Sequence, residues 1–396
     1  MRAPPRIPVY PSAASFARVG RLHAPWHTWF PFSAPTGTWT FSGRVALYHG
    51  LPTLNLPPGS TILVPAYHQG VEIETLLVAG YELRYYRMDE RLGIDFADLE
   101  RRVDKSVSAL HVIHYFGFAQ PLAPIVRFCE AHGLKLIEDC ALSLFTRDHG
   151  TWVGSAGDLA LYSVYKTLPV PHGGFLVTKQ PRTTNGLRPA PWRSTAVQTL
   201  DLLNSGLQAN RWGREVEQWL GRASHWVARR VGWDRNATIG SGGATWDQRL
   251  LDYRASTWIT WLMRFMDRDT VIARRRANFQ QLARRLSGRV GLPFPELTDG
   301  ACPLFFPILV RDKVRVQQEL EALDVQSVNL WNASHPSCPV DLAAEVSHWR
   351  RECLELPIHQ ELSAEHIERV ADAVIKTLKT PTAKTPRRQV SSGRKT

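Results

Sequence analysis

The segment TILVPAYHQGVEIETLLVAGYELRYYRMD, residues 61–89, decides the fold. TILVP is apolar enough for a buried strand, VEIETLLVAG has helical spacing closed by Gly80, and YELRYYRMD reads as a second strand. The unit then repeats. IDFADLERRV (94–103) reads as a helix, SALHVIHYF (108–116) as a strand, APIVRFCEAHG (123–133) as a helix and LKLIED (134–139) as a strand. Strands and helices alternating at these lengths predict an α/β fold with a mainly parallel, doubly wound sheet and right-handed crossovers. DLALYSVYK, a strand reaching Lys166, and GGFLVTK (173–179) extend the sheet. Pro169, Pro171 and the pair Gly173-Gly174 make the stretch after Lys166 a tight turn rather than a helix. Upstream, Ser42 is the expected N-cap of a helix carrying Val45, Ala46, Leu47 and Leu51.

In an open parallel sheet, ligands sit beyond the carboxyl ends of the strands. Asp139 closes the strand LKLIED and so points into that crevice. Lys166 follows 27 residues later. One cofactor, pyridoxal phosphate, asks for both groups. A buried carboxylate keeps its pyridinium ring protonated as an electron sink, and a lysine amine carries its aldehyde as a Schiff base. That amine has to be partly neutral near pH 7 to act, and once free it moves a proton as acid and base. Ser42, Gly43 and Arg44 open a helix, and a helix N-terminus with a small lead-in suits a phosphate.

Five stretches in order, WTFSGRVALYHGL (39–51), GSTILVPAYHQGVEIETLLVAGYELRYYRMD (59–89), VSALHVIHYFGF (107–118), IEDCALS (137–143) and GDLALYSVYKTLPVPHGGFLVT (157–178), resemble the sugar-aminotransferase family called DegT/DnrJ/EryC1/StrS. That family is a branch of the aspartate-aminotransferase fold. CLELPIHQELSAEHIERVADAV (353–374) resembles the family's closing segment and final helix. The resemblance implies a pyridoxal-phosphate-binding large domain with a smaller α+β C-terminal domain. It implies Lys166 and Asp139 as catalytic residues, with the cofactor phosphate held by Ser42, Gly43, Arg44 and Ser163. It also implies an aromatic ring stacked on the cofactor. Strict register puts Gln69 at that position, so Tyr67 or His68 has to take the role. His359 matches a histidine near the site's mouth, though a lone histidine is more often structural. The implied activity moves an amino group from an amino acid to a nucleotide-linked keto-sugar, in a homodimer.

Three departures stand against the family pattern. Two residues fewer separate Asp158 from Lys166. Leu142, which cannot donate a hydrogen bond, replaces a glutamine that contacts the cofactor's ring hydroxyl. The Asn-x-Arg stretch that reaches the partner subunit has no clear match around Leu251–Thr257. Leu142 and the missing Asn-x-Arg support the alternative of a catalytically altered or inactive protein that keeps the fold for binding or as a scaffold, and the retained Lys166 and Asp139 oppose it.

The organisation expected along the chain is an irregular arm (1–37), the large domain (38–180), a Trp/Arg-rich insertion (181–250), a linking helical segment (251–288), the small domain (289–378) and a basic tail (379–396) that has little to bury. In the insertion Trp212, Trp219, Trp226 and Trp233 recur every seven residues, near one stripe of a helix. Either this stripe packs on the catalytic domain or a dimer partner, or residues 205–235 seat the protein peripherally on an anionic membrane. The net charge of +12 favours anionic partners and would steer a nucleotide sugar. No basic helix-turn-helix or aromatic-studded sheet suggests nucleic-acid binding. Residues 1–11 lack the apolar core of a signal peptide, and no run of about 18 apolar residues suggests a membrane span. The five scattered cysteines lack metal-ligand spacing and fit a reducing cytoplasm; no metal is expected.

Overall fold

The computed structural model describes residues 5–12, 25–181, 186–208 and 248–379. A seven-stranded sheet forms from β1 (Thr38–Thr40), β2 (Thr61–Pro65), β3 (Glu82–Tyr86), β4 (Val107–Ile113), β5 (Lys135–Asp139), β6 (Leu159–Ser163) and β7 (Gly174–Thr178), in the order β1-β7-β6-β5-β4-β2-β3. Its middle is parallel, from β3 through β2, β4 and β5 to β6. The crossovers between these strands include α2 (Val71–Val78), α3 (Phe96–Arg102) and α4 (Leu122–His132), while α1 (Gly43–Gly50) precedes β2. Capping chemistry sets the helix starts: Ser42 caps α1 and Asp95 caps α3, each accepting from a backbone N–H three residues on.

The last two strands depart from the parallel pattern. β7 runs antiparallel to β6, and β1 antiparallel to β7. Residues 164–173 are too few for the dozen or more that a parallel return needs, so the chain doubles back. The strand expected to reach Lys166 stops at Ser163, and Lys166 sits on a one-turn helix, α5 (Val164–Thr167). Residues 168–173 follow it as irregular backbone, as the prolines and glycines dictate.

Beyond the sheet come α6 (Trp192–Gln208), α7 (Thr257–Leu262), α8 (Arg268–Leu286), α9 (Lys313–Ala322), α10 (Val340–Glu345), α11 (Ser347–Glu352) and α12 (Ala364–Lys379). A small antiparallel pair joins β8 (Phe306–Leu309) to β9 (Cys353–Leu356). One apolar cluster runs from the sheet (Ile62, Val64, Leu110, Ile137) into this C-terminal part (Phe306, Ile308, Trp349, Leu354). A second cluster gathers Trp29, Phe32, Phe145, Tyr162 and Phe175 with Ile259, Leu262 and Met263. Within the expected arm, residues 25–37 carry a 3-10 turn at Trp26–Thr28 and pack as an aromatic layer, with Phe32 stacked on Trp39 at 5.3 Å. Residues 5–12 lie on the C-terminal part, where Ile7 N–H donates to Asp324 O and Ser12 Oγ to Glu361. The tryptophan stripe at 212–233 and the tail beyond 379 lie outside the described residues.

Register assigns the two faces of the sheet. β4 and β5 pair His111 with Ile137 and Ile113 with Asp139, while β5 and β6 pair Asp139 with Leu161. Paired residues share a face and successive ones alternate. His111, Asp139, Leu161 and Ser163 therefore face the layer holding α1, and Glu138 and Ala160 face the other.

Candidate active site

Asp139 ends β5 buried, with its Oδ1 accepting from the Ala141 amide at 2.9 Å. Its pKa is raised to about 7, first by burial and then by the carboxylate of Glu72, against the pull of the Ala141 amide and the Lys166 ammonium. An acid so poised changes charge near neutrality. Its remaining oxygen, Oδ2, lies 3.9 Å from His111 Nε2. Sequence reasoning singled out neither Glu72, on the helix after β2, nor His111, on β4. Glu72 is buried at the head of α2, accepts from Gln69 N–H at 2.7 Å, and has its own pKa raised by burial.

The start of α1 forms a close-fitting cradle on the same face. A Cβ added at Gly43 would lie 2.6 Å from Ser163 Oγ, and one at Gly174 would lie 2.1 Å from the carbonyl carbon of Ser42. At Gly174 only glycine allows the two backbones to approach so closely, whereas at Gly43 the neighbour is a side-chain hydroxyl. The amides that open a helix have no acceptor within it, and here they sit beside the Ser163 hydroxyl. Arg44 is half-buried on the first turn. The helix start, the hydroxyl and the acid of Asp139 share one face, so the residues present fit a phosphorylated, positively charged ring.

Lys166 is half-buried on α5, with its charge felt by both Asp139 and Glu72. Two distant side chains hold its turn. Arg275 of α8 donates through Nη2 to Thr167 O at 3.0 Å, and Gln360 Nε2 donates to the same carbonyl at 3.1 Å. Arg275 Nε in turn donates to Gln360 Oε1 at 2.9 Å, and its Nη1 reaches Leu304 O at 2.8 Å. These bonds satisfy a carbonyl that the end of a one-turn helix leaves bare. They span 108 and 193 residues of sequence, so no local pattern announces them.

The structure does not bring every expected residue to the crevice. Tyr67 is fully buried among Tyr115, Trp331 and Trp349, beneath the Arg350 guanidinium at 5.1 Å. His68 is buried too: its Nδ1 pairs with Pro65 O, its Nε2 accepts from His335 N–H, and burial lowers its pKa to about 3. Both rings pack between the end of β2 and the C-terminal part, which Arg350 clamps by donating to Ala66 O and His68 O. Gln69, at the stacking position by strict register, is half-exposed. His359 is buried, its Nε2 bonded to Pro8 O and its pKa lowered by burial to about 3. Leu142 is buried among the apolar core of the sheet. The Leu251–Thr257 stretch brings the backbone carbonyl of Tyr253 onto Phe41 N–H, one residue from Ser42, and leaves Asp252 and Arg254 exposed.

Behind Asp139, on the other face, His114, Glu138 and Cys140 lie close enough together to hold a metal ion. Their donor atoms are already committed. Glu138 accepts from the amides of Gly154, Ala156 and Gly157 and pairs with His114 Nε2 at 3.2 Å, while His114 Nδ1 accepts from Gln120 N–H.

The family model for the DegT/DnrJ/EryC1/StrS aminotransferase family matches residues 34–375. Among curated relatives, GDP-perosamine synthase of Vibrio cholerae is 29% identical over 140 residues, 35% of this chain and 38% of that protein. The dTDP-4-dehydro-2,3,6-trideoxy-D-glucose 4-aminotransferase of Saccharopolyspora spinosa is 28% identical over 203 residues, 50% of this chain and 51% of that one. The matched stretch thus spans about half the length of these relatives or less. The fold is similar to that of the sugar aminotransferase CalS13 from Micromonospora echinospora, with a TM-score of 0.61 at 18% identity over 93% of this chain and 99% of that one. It is also similar to NtdA from Bacillus subtilis, solved with bound PMP, with a TM-score of 0.59 at 18% identity over 88% and 74%.

Proposed function

The chain belongs to the DegT/DnrJ/EryC1/StrS aminotransferase family, and we propose that it is a pyridoxal-phosphate-dependent sugar aminotransferase. Its substrates are an amino acid donor and a nucleotide-linked keto-sugar. The observation that carries this reading is the poised acid Asp139 on the same face as the Gly43–Ser163 cradle, with the charge of Lys166 acting on it. When bound, pyridoxal phosphate supplies an aldehyde that condenses with amines and a protonated ring that withdraws electrons.

The protein's own groups do the rest. Ser42 to Arg44 and Ser163 bind the phosphate at the start of α1, where amides and helix dipole favour an anion. Asp139, as a carboxylate, would hold the ring nitrogen in an ion pair that burial strengthens. Lys166 Nζ would move the proton as base and acid in each half of the transfer, first with the amino acid donor and then with the sugar. Arg275 and Gln360 hold the Lys166 turn. The basic surface steers the doubly charged nucleotide sugar inward.

The same reading makes the enzyme a homodimer. Trp258 and Trp261 stack at 4.6 Å on α7 and are 40% and 45% exposed, an aromatic pair of the kind that subunit interfaces favour. Sedimentation equilibrium tests this, and a monomer at micromolar concentration would overturn it. No helix among the described residues is long and apolar enough to cross a membrane. Peripheral contact through residues 205–235 in a cytoplasmic enzyme remains part of the proposal, tested by co-sedimentation with anionic vesicles at low salt.

The decisive experiment is Lys166→Ala. The wild-type protein is expected to take up pyridoxal phosphate with a yellow colour that bleaches with an amino donor. The variant should lose the bleaching and about a thousandfold or more of amino transfer. Colour and activity kept in the variant would overturn the assignment. A colourless wild type would favour a binding or scaffold protein, the alternative that the buried Leu142 supports.

A further inference from the structure

His111 lies on β4, fully buried, and neither ring nitrogen has a hydrogen-bond partner. A buried polar group left this way carries its desolvation penalty uncompensated, and native folds rarely keep one without a use. The use is visible in the register. His111 shares a face with Asp139, and its Nε2 is 3.9 Å from Asp139 Oδ2. The strand beneath is fixed, because the His111 carbonyl accepts from Tyr86 Oη at 3.0 Å. Burial lowers the imidazole pKa to about 3, so the ring is neutral and one nitrogen bears one proton. The other charged groups around Asp139 are Glu72 from α2 and Lys166 from α5.

We propose that His111 is a positioning residue for Asp139. In its Nε2–H tautomer it donates to Oδ2 once the carboxylate is ionised, holding the acid in the charge state and orientation that a cationic ring nitrogen requires. A spacing of 3.9 Å is longer than a hydrogen bond. In the Nε2–H tautomer the uncharged carboxyl of a protonated Asp139 offers only a weak acceptor. Ionisation supplies the attraction, because a hydrogen bond to the charged form favours that form. The proton stays on His111, and Asp139 releases its own to solvent as the cation arrives.

The inference rests on the cofactor reading above, but half of its test needs no cofactor. His111→Leu removes the donor at similar volume, and His111→Gln keeps an N–H. In the cofactor-free protein, Asp139 is followed through its carboxyl-carbon resonance, identified by its loss in Asp139→Asn. The midpoint is expected to rise by about one pH unit in His111→Leu, a tenfold change, and to stay near the wild-type value in His111→Gln. The dissociation constant for pyridoxal phosphate, read from tryptophan fluorescence, should weaken about tenfold in His111→Leu and less in His111→Gln. An unmoved midpoint and affinity in both variants overturn the proposal. Should neither variant fold, the His111 ring-nitrogen shifts of the wild type decide the matter. An Nε2–H tautomer that responds to pyridoxal phosphate supports the role, whereas an Nδ1–H tautomer or an unchanged spectrum overturns it. If pyridoxal phosphate fails to bind the wild type while the midpoint still moves, the cofactor reading falls and the His111–Asp139 pair stands. If it binds and the midpoint does not move, the pair falls alone.

Discussion

Glu138 and Asp139 are adjacent acids on one strand, yet they occupy opposite worlds. Glu138 faces the loop 153–157, and its oxygens meet three backbone amides and a histidine. Asp139 faces the crevice with one amide and an unbonded histidine. The strand's alternation separates them, and the number of donors then sets what each can do. A carboxylate saturated with donors is a structural pin. One short of donors stays responsive to whatever positive charge comes next to it, and the pKa of about 7 at Asp139 expresses that readiness.

The largest expected effect separates the two by exchanging acid for amide at each. Asp139→Asn should lower amino transfer by about a thousandfold, on the order of 4 kcal/mol, because an amide cannot neutralise a ring cation. The cofactor-free variant should fold normally. Glu138→Gln should do the opposite. Its NH₂ would be forced against amide donors that now meet a carboxylate, destabilising the fold by about 3 kcal/mol in a denaturant melt. Activity per folded molecule should persist. If Glu138→Gln removed activity without loss of stability, the division of labour drawn between the two acids would be wrong.

How this contrast was legible in the sequence follows from range. The β/α alternation over residues 61–139 is local, and it placed Asp139 at the carboxyl end of its strand. The offset from Asp139 to Lys166 is also local enough to read. The antiparallel return of β7 was not read, because Gly173-Gly174 signals a turn without stating which way the next strand pairs. Lys166 appeared to lie on a strand, since its helical turn is one turn long and held by Arg275 and Gln360 from far along the chain. Tyr67 and His68 have the composition of a ring platform. What they do depends on Arg350, Trp331 and Trp349, which sequence separation hides. His111 carries no local mark at all.

A smaller effect sharpens the comparison through pH. In the unfolded chain an aspartate ionises near 4, whereas the fold holds the Asp139 proton to about 7. Between those values the native state keeps a proton the unfolded state has lost, so stability falls as pH rises through this window and is level below it. Over about three pH units the fall should reach at most about 4 kcal/mol in the cofactor-free protein. Glu355, raised by burial to about 8, contributes a slope of the same sign in every variant, so the quantity to read is the difference between wild type and Asp139→Asn. Identical melting-point profiles for the two would show that the Asp139 environment is not as dry as its burial implies. Pyridoxal phosphate should abolish the difference by supplying the missing cation.

The smallest effect tests whether the phosphate end of the site is independent of the acid end. In Gly43→Ala the new methyl would sit 2.6 Å from Ser163 Oγ, and a hydroxyl on a single rotor can swing away from it. The fold should therefore survive with a loss of about 1 kcal/mol. Cofactor affinity should drop about tenfold, because the hydroxyl turned aside no longer meets the phosphate beside the α1 amides. Asp139 should titrate as before, its donors being untouched. Adding Ser163→Ala to Gly43→Ala relieves the crowding without restoring the hydroxyl, so stability should recover while affinity does not. Recovery of both would mean that the cradle acts by shape alone, and that the hydroxyl contributes nothing to holding the anion.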